Sequence, residues 1–187
     1  MTRYVRFATP LGTLIATAVG GALTGLYFEH GRHAPEVCAA WIADPAYAPL
    51  RECVRQVGEY LKGVRKQFDL PLAPQGSEFQ RRVWIEIARI PFGETIAYAE
   101  LAARAGAPGA ARAAGAATGR NPLSIIVPCH RVLGADGSLT GYAGGLERKK
   151  RLLALEGVLS PKEGFSHDDE VIARADGASG AIAGAAA

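Results

Sequence analysis

The stretch Asn121-Pro122-Leu123-Ser124-Ile125-Ile126-Val127-Pro128-Cys129-His130-Arg131-Val132 concentrates the chemistry of this 187-residue chain. It opens on an Asn-Pro loop signal, crosses an apolar run and ends on a thiol set between Pro128 and His130. A cysteine reacts as its thiolate, which needs a base or a positive neighbourhood. His130 and Arg131 follow Cys129 directly, although adjacent side chains need not face each other. The competing reading of Cys129 is a small buried hydrophobe. That reading suits Cys38 and Cys53, which lack comparable neighbours.

Working outward, the residues before this stretch read as helices. Ser77 fits an N-cap, and Phe79, Val83, Trp84, Ile87 and Ile90 follow at helical spacing. Pro91-Phe92-Gly93-Glu94 stops that helix. Thr95 is the expected cap of the next, running to about residue 105 with Ile96, Ala99, Leu101 and Ala102 inward. Gly106-Ala107-Pro108-Gly109 is a tight turn, and 110–118 is a third helix, almost all alanine with one arginine. Helix, short turn and helix match a helix-turn-helix, though two helices packed as plain core read the same way. After Cys129 come a turn at 134–137, the glycine-rich loop Gly141-Tyr142-Ala143-Gly144-Gly145 and a final helix over 146–156. That helix carries a basic cluster at 148–151.

Residues 3–29 read as strands, with turns at Thr9-Pro10-Leu11-Gly12 and Gly20-Gly21. Residues 35–49 are irregular. A helix is expected over 50–61, with Val54, Val57 and Leu61 on one face, and a short strand over 66–70. The linker 71–76 marks a boundary. The fold class is an α/β N-terminal domain, a small antiparallel sheet plus a helix, over 1–74. An all-α domain with the helix-turn-helix follows over 75–160. Residues 161–187 are Ala/Gly-rich and acidic, and are expected to be disordered.

Composition sets outer limits. Apolar residues make up 49% and charged residues 21%, which excludes wholesale disorder. The net charge is +3; with −3 on residues 161–187, the first 160 carry +6. Such a body suits a polyanion without demanding one. Three cysteines without a CxxC pair make neither a disulfide framework nor a zinc ribbon. The N-terminus does not read as a signal peptide, and no apolar run is long enough to span a membrane. A cytoplasmic protein with reduced thiols is expected.

The quoted stretch closely resembles the active-site segment of the O6-alkylguanine-DNA alkyltransferases. Pro91-Phe92-Gly93-Glu94-Thr95-Ile96-Ala97-Tyr98 resembles the start of that family's helix-turn-helix, and Ala110-Ala111-Arg112-Ala113-Ala114-Gly115 its recognition helix. Gly141-Tyr142-Ala143-Gly144-Gly145-Leu146-Glu147-Arg148-Lys149 resembles its binding loop, and Leu152-Leu153-Ala154-Leu155-Glu156-Gly157 its final helix. The match is strong over 79–157, looser over 3–70 and does not extend to the tail.

The resemblance implies a DNA-repair reaction: irreversible, single-turnover transfer of an alkyl group from O6 of guanine in DNA to Cys129. O4-alkylthymine is an expected second substrate. It implies a relay from the thiol through water to His130 and Glu156, with Asn121 bracing the turn. It further implies that Arg112 fills the space of a flipped nucleotide and that the alanine helix enters the minor groove. Tyr98 would press on the target phosphate and donate to the base. The Cys129 and Val132 carbonyls would meet the guanine amino group, and the Ala143 N–H would meet O6. Ala113, Gly115, Arg120 and Tyr142 complete the expected DNA- and base-binding set. Blander roles stand beside these: a surface charge for Arg112 and for Glu156, a packing aromatic for Tyr98, a turn-forming residue for Asn121. No metal and no cofactor are expected. The expected partner is double-stranded DNA containing alkylated guanine, bound by a monomer with no membrane contact. A non-catalytic lesion-binding protein and a cysteine hydrolase are the rival readings.

Overall fold

The computed structural model describes residues 1–160; the expected disorder of 161–187 lies outside the described residues. Gly20 and Gly21 take φ of 59° and 90°, the left-handed values that a two-residue hairpin needs to match strand twist. They join β2 (Leu14–Val19) to β3 (Ala22–Phe28), and β1 (Arg3–Phe7) lies antiparallel on the other side of β2. A two-residue strand, β4 (Ile42–Ala43), adds parallel to β1, so the sheet runs β3-β2-β1-β4 and is mixed. β4 lies in the irregular stretch and is too short to show a strand period.

Helix α1 (Ala48–Leu61) covers this sheet with Leu50, Cys53, Val57 and Tyr60 buried. The buried face is rotated from the expected one: Val54 is half-buried and Gln56 is inside. The Gln56 amide explains a second difference. It donates to the Asp69 carbonyl at 2.8 Å and accepts from the Asp69 N–H at 2.9 Å. Those backbone groups are thereby taken, and the strand expected over 66–70 does not form. The chain instead bridges β3 at Leu72, opposite Leu23.

The free edge of β3 also receives the segment quoted above. Leu26 N–H donates to the Pro122 carbonyl at 2.7 Å, and Ser124 N–H to the Leu26 carbonyl at 2.9 Å. An exposed sheet edge is thus covered, and the Cys129 segment is anchored on the N-terminal sheet.

The second half begins with α2 (Glu78–Ala88), whose N-terminus is a capping box. Ser77 Oγ accepts from Gln80 N–H at 3.2 Å, and Gln80 Oε1 accepts from Ser77 N–H at 2.8 Å. Trp84 Nε1 donates to the Ala117 carbonyl at 2.9 Å and ties α2 to α4 (Ala111–Gly119). Thr95 does not cap the intervening helix. Residues 96–97 form β5 (Ile96–Ala97), parallel to β6 (Val132–Leu133), and α3 (Tyr98–Arg104) starts only beyond them. Ile96, Leu101 and Ala102 are inward as expected, but Ala99 is exposed. The second half is therefore helical apart from this pair, which sets the start of α3 beside the Cys129 turn. Helix α5 (Leu146–Leu155) ends at Glu156. A continuous apolar cluster, including Leu14, Leu26, Val57, Ile87, Leu123 and Leu152, runs through both halves. Among the described residues no helix is long and apolar enough to cross a membrane.

Candidate active site

Cys129, His130 and Arg131 form one turn of 3-10 helix, and residues 121–132 are buried throughout. Asn121 holds this turn from inside. Its Nδ2 donates to the Val127 carbonyl at 2.8 Å and to Cys129 Sγ at 3.2 Å, and its Oδ1 accepts from Leu123 N–H at 3.0 Å. Between those anchors Ile125 has φ 72°. That is rare for a β-branched residue and costs on the order of 1–3 kcal/mol. The Asn121 bonds on either side and the full burial of Ile125 hold it there.

Behind the turn lies a buried charge cluster. Glu156 has no exposed side-chain surface. Its Oε1 accepts from His130 Nε2 at 2.9 Å, Arg131 Nη2 at 2.8 Å and the Tyr60 hydroxyl at 2.5 Å. Its Oε2 accepts from Arg131 Nε at 2.9 Å and Gly93 N–H at 3.1 Å. Burial alone would raise the Glu156 pKa, but the hydrogen bonds from His130 and Arg131 outweigh it and bring the carboxyl down to about 2. Glu156 is therefore ionised and cannot act as a terminal proton store. Burial holds His130 below the ordinary histidine range, against the opposing pull of Glu156, so the imidazole is neutral. With Nε2–H on Glu156, Nδ1 carries the lone pair, and Nδ1 is buried with no protein partner.

Burial likewise pushes the Cys129 thiol upward, partly offset by the Asn121 bond and the Lys149 charge. A neutral thiol and a neutral imidazole thus sit side by side, with no hydrogen bond joining them. Arg131, which in sequence looks like the thiol's positive neighbour, instead turns to Glu156 and to the Ile90 carbonyl. The cation near the thiol comes from Lys149, within the basic cluster of α5. Lys149 is fully buried, donates to the Val132 and Thr140 carbonyls at 2.7 and 2.9 Å, and is pushed down to about 8 by burial.

Tyr98, Gly115, Arg120, Tyr142 and Ala143 lie on an open cleft of about 370 Å³, which Arg32 also lines. This is the size of a small-molecule site. Tyr98 is half-buried, with its hydroxyl 3.5 Å from the Thr140 carbonyl and its ring beside Gly115. Tyr142 stands edge-on to Phe28, and its hydroxyl is buried without a protein partner. Val132 is fully buried on β6. The Ala143 carbonyl accepts from Arg32 N–H at 3.1 Å, which links the cleft to the N-terminal half. Arg112, Ala113 and Arg120 are exposed, the first two on the outer face of α4. The structure thus gathers Cys129, Asn121, His130 and Glu156 into one buried site and leaves Arg112 and Ala113 outside it.

Two family models cover nearly all the described residues. Residues 2–74 match the ribonuclease-like domain of 6-O-methylguanine DNA methyltransferase, and residues 78–158 match its DNA binding domain. The chain belongs to the 6-O-methylguanine DNA methyltransferase family. A relative from Mycolicibacterium paratuberculosis is 48% identical over 162 residues, covering 86% of this chain and 96% of its own. One from Methanosarcina acetivorans is 46% identical over 154 residues, covering 82% and 97%. Both are named methylated-DNA–protein-cysteine methyltransferase. The crystal structure of Mycobacterium tuberculosis OGT in complex with DNA superposes with a TM-score of 0.77 at 44% identity, covering 82% of this chain and 92% of that one.

Within this methyltransferase fold, four contributors to the site were not read from sequence: Tyr60, Gly93, Lys149 and Arg131 as the partner of Glu156. In sequence Lys149 belongs to a basic cluster, and Arg131 reads as a positive neighbour of the thiol. Gly93 acts through its backbone N–H, and Tyr60 lies 96 residues from Glu156. No local pattern marks such partners.

Proposed function

We propose that this protein repairs alkylated DNA by transferring the alkyl group from O6 of guanine to Cys129 Sγ, once per molecule. The observation that carries this reading is the buried Asn121–Cys129 turn set against the His130–Glu156 pair in a chain of this family. The thiol proton passes, through a bridging water, to the lone pair on His130 Nδ1. Glu156, already ionised, stabilises the imidazolium that forms. Asn121 Nδ2 and the Lys149 charge favour the thiolate. Sγ attacks the alkyl carbon, the carbon–O6 bond breaks, and the departing guanine takes up one proton. Thiol and O6-alkylguanine become thioether and guanine, and the thioether has no route back.

The target atom lies inside a stacked duplex, so the nucleotide is flipped out before reaction. Helices α3 and α4 with their turn act as a helix-turn-helix. The exposed small residues of α4 suit close approach to the minor groove, and Arg112 fills the vacated stack. Tyr98, Arg120, Tyr142 and Ala143 on the cleft receive the flipped base, with Gly115 and Ala113 keeping α4 slim. Residues 1–74 and 75–160 are the two domains, and the protein acts as a cytoplasmic monomer on alkylated guanine and on O4-alkylthymine.

Intact-mass spectrometry after mixing with an O6-methylguanine duplex tests the reading. The expected result is one added methyl on Cys129 in the wild type and none in Cys129→Ser, whose hydroxyl is a far poorer nucleophile at neutral pH. Lesion binding without added mass would favour the non-catalytic rival, and a methyl on Cys38 or Cys53 would overturn the assignment of Cys129.

A further inference from the structure

Asn121, Cys129, His130, Lys149 and Glu156 all lie beyond residue 90. Tyr60 breaks that pattern. It sits on the last turn of α1, fully buried, with its ring against Phe68 at 5.3 Å and edge-on to Phe92 at 6.1 Å. Its hydroxyl is 2.5 Å from Glu156 Oε1 and 3.4 Å from His130 Nε2. A phenol has one proton to donate. The shorter distance and the negative charge assign it to Glu156. Burial and the Glu156 charge hold the Tyr60 pKa far above its usual range, so it stays a donor.

We propose that Tyr60 is a positioning residue that sets the basicity and tautomer of His130 by acting through Glu156. The inference rests on the reading of Cys129 as acceptor and His130 as its proton acceptor. Oε1 is shared by Tyr60, His130 Nε2 and Arg131. The Tyr60 bond holds that oxygen in line with Nε2, so the His130 proton stays on Nε2 and the lone pair stays on Nδ1. It also draws charge from the oxygen that the imidazolium will use, which keeps His130 from binding a proton too early. The other charged groups acting on His130 are the Arg131 and Lys149 cations, both of which act in the same direction; Cys129 precedes it in the same turn. The N-terminal domain thereby reaches into the chemistry through one hydroxyl.

Tyr60→Phe removes that oxygen and keeps the ring contacts with Phe68 and Phe92. The reading is the rate of adduct formation with free O6-benzylguanine from pH 5 to 9, by intact mass, since the free base needs no flipping. Without Tyr60, Glu156 holds the imidazolium more tightly and the His130 pKa rises. The acid limb of the rate profile therefore moves to higher pH, by about half a unit or more, while affinity for duplex DNA is unchanged. Replacing Tyr60 with 4-aminophenylalanine, which restores a weaker donor at the same place, brings the limb part of the way back. It carries the test alone if Tyr60→Phe does not fold, with a smaller shift in the same direction. An acid limb that stays in place, with only a lower melting temperature, would reduce Tyr60 to packing and overturn the proposal. Failure of the underlying reading looks different: wild-type protein would then gain no mass on Cys129 at any pH.

Discussion

Around Glu156, five donor groups converge on one carboxylate with no exposed side-chain surface, whereas Arg112, Ala113 and Ala116 of α4 stand open to solvent. The first region is rigid and charged inside, and its geometry is over-determined by bonds from α1, the Gly93 loop and the Cys129 turn. The second region holds little but small residues, anchored from behind by Ala114, Ala117 and the Trp84 bond to Ala117. On the proposed function, the contrast separates two tasks. Proton transfer needs fixed partners at hydrogen-bond distance; recognition of a duplex needs a slim, unencumbered face that the polyanion can approach. Damage to the first should harm reaction with free base and with DNA alike. Damage to the second should harm DNA alone.

The largest effect is expected from Glu156→Gln. It leaves the Arg131 guanidinium buried without its counter-charge, and breaking such a pair costs about 3–5 kcal/mol. On the proposed reading it also weakens the general base His130, so transfer should slow roughly 10²–10⁴-fold on both substrates. The pH dependence carries the same signature. The Glu156 carboxyl is held at about 2 when folded against 4.5 ordinarily. Its contribution is thus present above about 4.5 and is lost as pH falls toward 2. Neutral buried His130 adds to this: the unfolded chain takes its proton below about 6.5 while the folded chain resists, so stability falls on acidification there too. Urea unfolding over a pH series should show the wild type losing stability from pH 6.5 downward, and the variant should lack the part between 4.5 and 2. A variant as stable as the wild type, with the same acid slope, would mean that the carboxylate is not the keystone of this cluster.

Arg112→Ala is the next step down and the sharpest test of the division. On the proposed reading this substitution removes the side chain that occupies the vacated stack, and a nucleotide flip costing a few kcal/mol loses support. Repair of duplex should slow about tenfold to a hundredfold, with the rate on free O6-benzylguanine unchanged and the melting temperature within a degree or two. Equal losses on both substrates would place Arg112 in support of the fold or pocket and erase the distinction between the regions.

The same division governs what could be read from sequence. The Cys129 turn and the alanine helix are local: their residues lie within a dozen positions and their identities carry the signal. The Ser77 cap and the Gly20-Gly21 hairpin are legible for the same reason, because each is a backbone requirement met by its own neighbours. The partners of Glu156 are not. Tyr60, Gly93 and Arg131 meet it across 96, 63 and 25 residues, and only the packed core decides which cation or hydroxyl arrives. Thr95 reads as a cap in sequence, but the pairing of Ile96 with Val132, itself long-range, delays the helix. In sequence Lys149 belongs to the basic cluster 148–151, yet burial singles it out from Lys150 beside it.

The smallest effect, and the one with opposing signs, is expected from Gly115→Ala. Gly115 lies inside α4, where alanine is favoured over glycine by up to about 1 kcal/mol. A Cβ there would meet the Tyr98 ring at 3.6 Å, ordinary van der Waals contact, so nothing has to shift. The melting temperature should therefore rise by a few degrees. The added methyl nonetheless projects into the cleft wall between α4 and Tyr98, where the proposed reading brings the helix close to the groove and the flipped nucleotide close to Tyr98. Repair of O6-methylguanine duplex should slow several-fold in a protein that is more stable than its parent, and free O6-benzylguanine should react at the parent rate. A more stable protein that repairs duplex as fast as before would show that α4 has room to spare at Gly115. The close-approach surface would then lie further along the helix, toward Arg112 and Ala113.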